Sequence, residues 1–202
     1  MKKTCMHSFL IISLLVLLSC AVTSTQINTT WKAPGYSGEI QKVLIIGVSN
    51  VQADRIRYEN YFAENLRKHG IAGIQSFPIF SSTGMPNKET IASAVKKSGA
   101  DTILLTQLVE REKVEKYVPG EAFPAHSDFF GYYSGSWQNV YTPGYKVTNR
   151  VVVMQTNLYG AENQKLFWTA VSDTTTSGTD ADIIKSFVKA IVNKMQQEGL
   201  IR

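Results

Sequence analysis

Apolar positions fall in two rhythms along this chain, and the alternation between them predicts its elements. Lys42 to Val48 (KVLIIGV) is apolar at nearly every position over a strand-length window. It runs into Ser49 and Asn50, the pattern of a central strand buried on both faces. Residues 52 to 69 then place Ile56, Tyr58 or Glu59, Phe62 and Leu66 at helical spacing, with Gly70 where a left-handed cap belongs. Ala72 to Phe77 reads as a second strand and Pro78 to Pro86 as a loop. Asn87 follows as the N-cap of a helix that carries Ile91, Ala94 and Val95 and stops at Gly99. Thr102 to Val109 (TILLTQLV) predicts a third apolar strand. It continues into Glu110, Arg111, Glu112 and Lys113, polar on both faces, so this extension should project beyond the core.

Beyond a long segment, residues 146 to 159 predict a strand with Val152, Met154 and Leu158 on one face. Leu166 to Ser172 predicts another, with Leu166, Trp168 and Ala170 on one face, joined to the first by a hairpin through Gly160 to Gln164. Thr179 and Asp182 have the spacing of a capping box, with Asp in place of the usual Glu. Ile183, Ile184, Phe187, Val188, Ile191, Val192 and Met195 then form an apolar stripe closed by Gly199, the clearest helix of the chain. The order βαβαβββα predicts an α/β fold on the α+β borderline, a single mixed sheet of about five strands with about three helices. Two early crossovers imply parallel neighbours, and the late hairpin an antiparallel pair.

The first residues follow neither rhythm. Lys2 and Lys3 precede an apolar run from Phe9 to Leu18, broken only by Ser13, and the small Ser19 stands before Cys20. A spanning helix needs about 20 apolar residues, so this run reads as a signal segment, residues 1–19. Leu17-Leu18-Ser19-Cys20 resembles the lipobox of bacterial lipoproteins. The resemblance implies cleavage before Cys20, acylation of its thiol, and anchoring by several acyl chains, since one chain alone holds only marginally. Ala21 stands where, in the Gram-negative sorting systems this resembles, Asp retains lipoproteins in the inner membrane. The expected address is therefore the outer membrane, with the domain facing the periplasm.

Residues 20–41 turn to Ser, Thr, Asn, Gln, Gly and Pro and read as a lipidated N-terminus and flexible tether with a typical span of about 25 Å. Trp31 with Pro34, Gly35 and Tyr36 is expected to dock on the domain, the membrane interface being the other place for such rings. Residues 42–202 make one periplasmic domain.

Composition narrows the partners. The chain has 202 residues with 21 Lys and Arg against 16 Asp and Glu. Losing Lys2 and Lys3 leaves 19 against 16, a balance of +3 without a basic block, which does not point to nucleic acid. Cys5 departs with the signal and Cys20 carries lipid, so no disulfide supports the domain.

Several stretches resemble a family of small bacterial lipoproteins whose shared domain has no assigned function. They are Trp31-Lys32-Ala33-Pro34, Lys42 to Ser49, Ser98-Gly99-Ala100-Asp101, Tyr117-Val118-Pro119-Gly120, Leu158-Tyr159 and Leu166-Phe167-Trp168. In strand and helix order the chain is also similar to the periplasmic domains of the curli-secretion channel lipoprotein and of lipoprotein activators of cell-wall synthases. The resemblance implies fold and address and carries no catalytic residue.

Chemistry is sparse. His69 and His126 have no ligand spacing for zinc, and no cofactor is implied. Gly47-Val48-Ser49-Asn50-Val51 lacks the second glycine of a nucleophile elbow, and Gly131 to Gly135 has the wrong spacing. His126 beside Asp128, and Glu110, Glu112 and Glu115 among Arg111, Lys113 and Lys116, read as solvated surface groups. Ser49 and Asn50 are a weak candidate for a small-ligand site, because ligands of open α/β sheets sit at the carboxyl ends of strands. Helix capping is the bland alternative. Segment 117–145 is unusual, with nine aromatics, four Gly, three Pro and no Lys or Arg in 29 residues. Phe129, Phe130, Tyr132, Tyr133, Trp137 and Tyr141 are the candidate partner-contact residues, with a lid over the sheet as the alternative.

The sequence thus predicts no enzyme. It predicts a non-enzymatic binding or assembly factor of the cell envelope, held to membrane lipid through Cys20, with an envelope protein or cell-wall partner and a homo-oligomer possible. The alternatives are a subunit of an oligomeric secretion or channel assembly and, more distantly, an envelope hydrolase.

Overall fold

The computed structural model describes residues 23–49, 51–80, 87–118 and 145–202. Their elements are β1 (Thr23–Lys32), β2 (Lys42–Val48), α1 (Gln52–Lys68), β3 (Ala72–Gln75), α2 (Lys88–Ser98), β4 (Thr102–Val118), β5 (Tyr145–Gly160), β6 (Leu166–Thr176) and α3 (Asp180–Gln197). The six strands form one mixed sheet in the order β1-β6-β5-β4-β2-β3. β2 is parallel to both β3 and β4, and the β4, β5, β6 and β1 pairs are antiparallel. The fold is α/β with three helices, and the strand count is one higher than the sequence predicts.

The added strand is β1. Residues 23–32, expected to lie in a flexible tether, pair along β6 from Thr23 opposite Thr176 to Lys32 opposite Trp168. A row of Thr and Ser with few large apolar groups reads as linker, yet an edge strand buries little and needs only a partner for its backbone. Here the hydroxyls pair as well, Thr23 with Thr176 at 2.5 Å and Thr25 with Thr174 at 2.8 Å. The chain is fastened further along by the Tyr36 ring, stacked on Phe167 with centroids 4.0 Å apart, while Trp31 stays 46 % exposed.

β2 shows why its sequence is apolar throughout. Val43 and Ile45 point into a core with α1 and α3, and Leu44 and Ile46 into a smaller core with α2 on the opposite side of the sheet. α1 and α3 therefore share one face, and α2 packs on the other over β2, β3 and the start of β4, where Tyr159 at the end of β5 joins the cluster. Asn87 accepts a bond from the Thr90 N–H, and Thr179 with Asp182 closes the capping box, so both helix starts follow their sequence signals. Gly70, Gly99 and Gly199 hold positive φ just past the three helices.

Three bulges reset the alternation. In β6 the register slips so that Leu158 faces Trp168 and Tyr159 faces Leu166. Leu166, expected on the face of Trp168, is consequently exposed, and Phe167 is buried instead. A second bulge follows Ile27 in β1, and the third leaves Val109 of β4 without an opposite residue. No helix among the described residues is long and apolar enough to cross a membrane.

Candidate functional site

The carboxyl end of β2 opens into a cleft of about 200 Å³ between the first turns of α1 and α3. Its walls are mostly apolar, with Val48, Leu108, Val152, Met154, Ile183 and Ile184 around the Tyr58 ring. Ser49, Asp54, Arg55, Thr106, Arg111 and Asp180 stand among them as its polar members.

A network of buried charge holds the floor in place. Glu59, fully buried, accepts from the Arg55 Nε at 2.9 Å, the Ser76 hydroxyl at 2.7 Å and the Gly47 N–H at 3.2 Å on one oxygen. Its other oxygen takes the Ser76 and Phe77 N–H groups at 2.7 and 2.9 Å. One carboxylate thus ties α1 to the end of β2 and to the exit of β3, and satisfied in this way it tolerates removal from water. Arg55 also donates to the Ser76 hydroxyl at 2.8 Å and lies over the Phe80 ring, 4.8 Å from its centroid. Beside it the Tyr58 hydroxyl donates to Thr106 at 2.7 Å, and the Thr106 and Thr156 hydroxyls are 2.9 Å apart. Burial pushes the Tyr58 phenol far above its ordinary range, so it stays neutral. Tyr58 fits because position 47 is Gly: a Cβ there would meet the ring at 2.7 Å.

Ser49, a candidate from the sequence, lines this cleft. Its hydroxyl accepts from the Val51 N–H at 3.1 Å and donates to the Val51 carbonyl at 3.3 Å, which closes the turn into α1. Val51, rather than Ser49, occupies the N-cap position. Among the described residues no base contacts the Ser49 hydroxyl, Asp54 is paired with Arg57 at 2.9 Å, and Asp180 with Arg150 at 2.6 Å. The arrangement can hold a small apolar group and shows no nucleophile with its base. Asn50, Cys20, Phe129, Phe130, Tyr132, Tyr133, Trp137 and Tyr141 lie outside the described residues. Sequence reasoning left Arg55 and the network around Glu59 out of the site. The signal was present, as Arg55 and Glu59 stand one turn apart on the apolar face of α1.

The second feature is a ribbon. β4 and β5 stay paired from Thr102 opposite Gly160 to Val118 opposite Tyr145. β2 stops at Gln107, so from Leu108 onward β4 is an edge whose one strand partner among the described residues is β5, and β6 stops at Arg150, opposite Lys113. The last five residues, Val114–Val118, pair with Tyr145–Asn149 as a two-stranded arm that reaches about 15 Å at roughly 3.3 Å per residue. Glu110 to Glu115 are all exposed.

No family model matches the chain, and no curated protein does. Among solved structures, the PelC dodecamer from Paraburkholderia phytofirmans is similar at 12 % identity, covering 87 % of this chain and 98 % of that one, with a TM-score of 0.47. Lipoprotein GNA1162 from Neisseria meningitidis is similar at 15 % identity over 78 % of this chain and 99 % of its own, with a TM-score of 0.43. A PDZ domain protein from Parabacteroides distasonis gives 8 % identity over 92 % of this chain and 39 % of its own, at 0.40. Likenesses at this level say nothing about the cleft, the ribbon or what either holds.

Proposed function

We propose that the chain is a lipid-anchored protein of the cell envelope, held in the outer membrane through Cys20, whose domain acts as a non-enzymatic binding or assembly factor. The observation that carries the binding role is the ribbon. Beyond Leu108 and Val152 it adds nothing to either apolar cluster, and it carries charges on both faces. Ordering the ten residues of the two-stranded arm, Val114–Val118 and Tyr145–Asn149, without a core to bury costs about 1 to 2 kcal/mol of backbone entropy each, and a segment kept for contact accounts for that expense. Charge on both faces also fits water or protein better than the lipid-facing alternation of a barrel strand. The address rests on the lipobox resemblance, and the non-enzymatic reading on the Ser49 hydroxyl having Val51 as its one partner among the described residues.

The test places a photo-crosslinking residue at Val109 or Val114 of the full-length chain in intact cells, with exposed Lys189 on α3 as control. Adducts at the ribbon positions and background at Lys189 are expected. Absence of adducts at both ribbon positions would overturn the role.

A further inference from the structure

Resting on the binding role of the ribbon, the geometry points to its partner: we infer that the partner is a second copy of this chain, the cationic face of one ribbon packing against the acidic face of the next. The alternation Glu110, Arg111, Glu112, Lys113 puts every second residue on the same side of β4. Register decides which side. Arg111 stands opposite Val152 and Lys113 opposite Arg150, while Glu110 stands opposite Val153 and Glu112 opposite Val151. Val152 is buried and lines the cleft, and Arg150 reaches Asp180 of α3, so Arg111 and Lys113 lie on the helix side. Glu110 and Glu112 lie on the bare side, and register adds Asp173, which stands opposite Val153.

The two faces thus differ in sign. On the helix side Arg150 is paired with Asp180 and Lys146 with Glu115, while Arg111 and Lys113 make no ion pair among the described residues. On the bare side, the described parts of β5, β6 and β1 present Asp173 and no Lys or Arg, while β4 presents Glu110 and Glu112, with Lys116 at a register position of the same side further out. None of the three carboxylates makes an ion pair among the described residues. Val114, Val151, Val153 and Val171 lie between these carboxylates, incompletely buried, where no helix covers the sheet. Over Glu110 to Lys113 the signs separate by face, and two cations on the reverse of three carboxylates make this strip complementary to its own copy. Such contact is head to tail. It does not end at a dimer but closes into a ring or runs on as a filament.

The test uses the full-length chain in detergent, with the photo-crosslinking residue at Val114 and products weighed on a denaturing gel. A ladder of multiples of the chain mass is expected, fading to background in about 1 M salt, where screening reaches only about 3 Å. The variant R111E/K113E has two acidic faces and E110K/E112K two basic ones, so each alone should lose the ladder. Mixed together they should regain it, which no folding defect would do. Adducts with a different protein and none with itself would overturn the self-assembly while leaving the binding role standing. No adducts at all would overturn both, and a ladder unchanged by either variant would overturn the charge pairing.

Discussion

At the scale of single residues, the buried Glu59 carboxylate is the strongest commitment the structure makes, because five donors converge on it. Glu59→Ala leaves the Arg55 charge without its carboxylate and takes the acceptor from the Gly47 and Phe77 N–H groups and from the Ser76 N–H and hydroxyl. Equilibrium urea unfolding should show a loss of about 3 to 5 kcal/mol. A loss below about 1 kcal/mol would mean that water enters and replaces the carboxylate. Glu198 shows the opposite balance. Burial by itself raises its carboxyl, but hydrogen bonds from Thr30, the Trp168 indole and Lys194 outweigh this and hold it below its ordinary value of 4.5. A lowered folded-state value means stability that is present above the ordinary value and lost as pH falls through the folded one. Glu198→Gln should therefore be less stable than the parent at pH 7, with the gap closing as unfolding is repeated at values progressively below 4.5. A gap that persists undiminished in acid would assign the effect to shape and not to charge.

At the scale of elements, helices and core strands obey their sequence signals, and the edge does not. The caps of α2 and α3 and the doubly buried β2 depend on neighbours within a few residues, so local chemistry predicts them. β1 has its partner about 140 residues away, and nothing in a Thr-rich stretch states that β6 is there. Nine registered residue pairs join the two, each worth about 0.2 to 1 kcal/mol, so deleting residues 23–32 while keeping Cys20 should lower the unfolding free energy by at least about 2 kcal/mol. An unchanged urea midpoint would return this segment to the role of tether. The Phe167 bulge is a second instance. The face of Leu166 follows from strict alternation on paper, and one extra residue in the strand reverses it.

At the scale of the whole molecule, core and ribbon are separable. Neither apolar cluster contains a described residue between Leu105 and Met154, so the ribbon should be removable. Replacing residues 115–148 by Asn-Gly, a pair suited to a two-residue hairpin, joins Val114 to its register partner Asn149. Thermal or urea unfolding should stay within about 1 kcal/mol of the parent, and self-crosslinking at Val114 should persist, because Glu110 to Lys113 and Asp173 all remain. Collapse of the fold would show that the outer ribbon is structural, and lost self-crosslinking would place the contact in the removed residues.

The sequence by itself determined what depends on near neighbours: the α/β class, the helix ends, the central strand, and the alternation of Glu110 and Glu112 with Arg111 and Lys113 that separates charge across a strand. Ser49 was visible as the end of that central strand, but the cleft around it draws its walls from α1, α3, β4 and β5, elements far apart in the chain. Only the tertiary structure decided the edge strand β1, the pairing partners of Glu59, and which sign of the ribbon faces the helices. The last of these turns on Val109. Because side chains alternate with a period of two, one unpaired residue moves everything after it to the other face, and pairing with β5, not the composition of β4, sets where that residue sits.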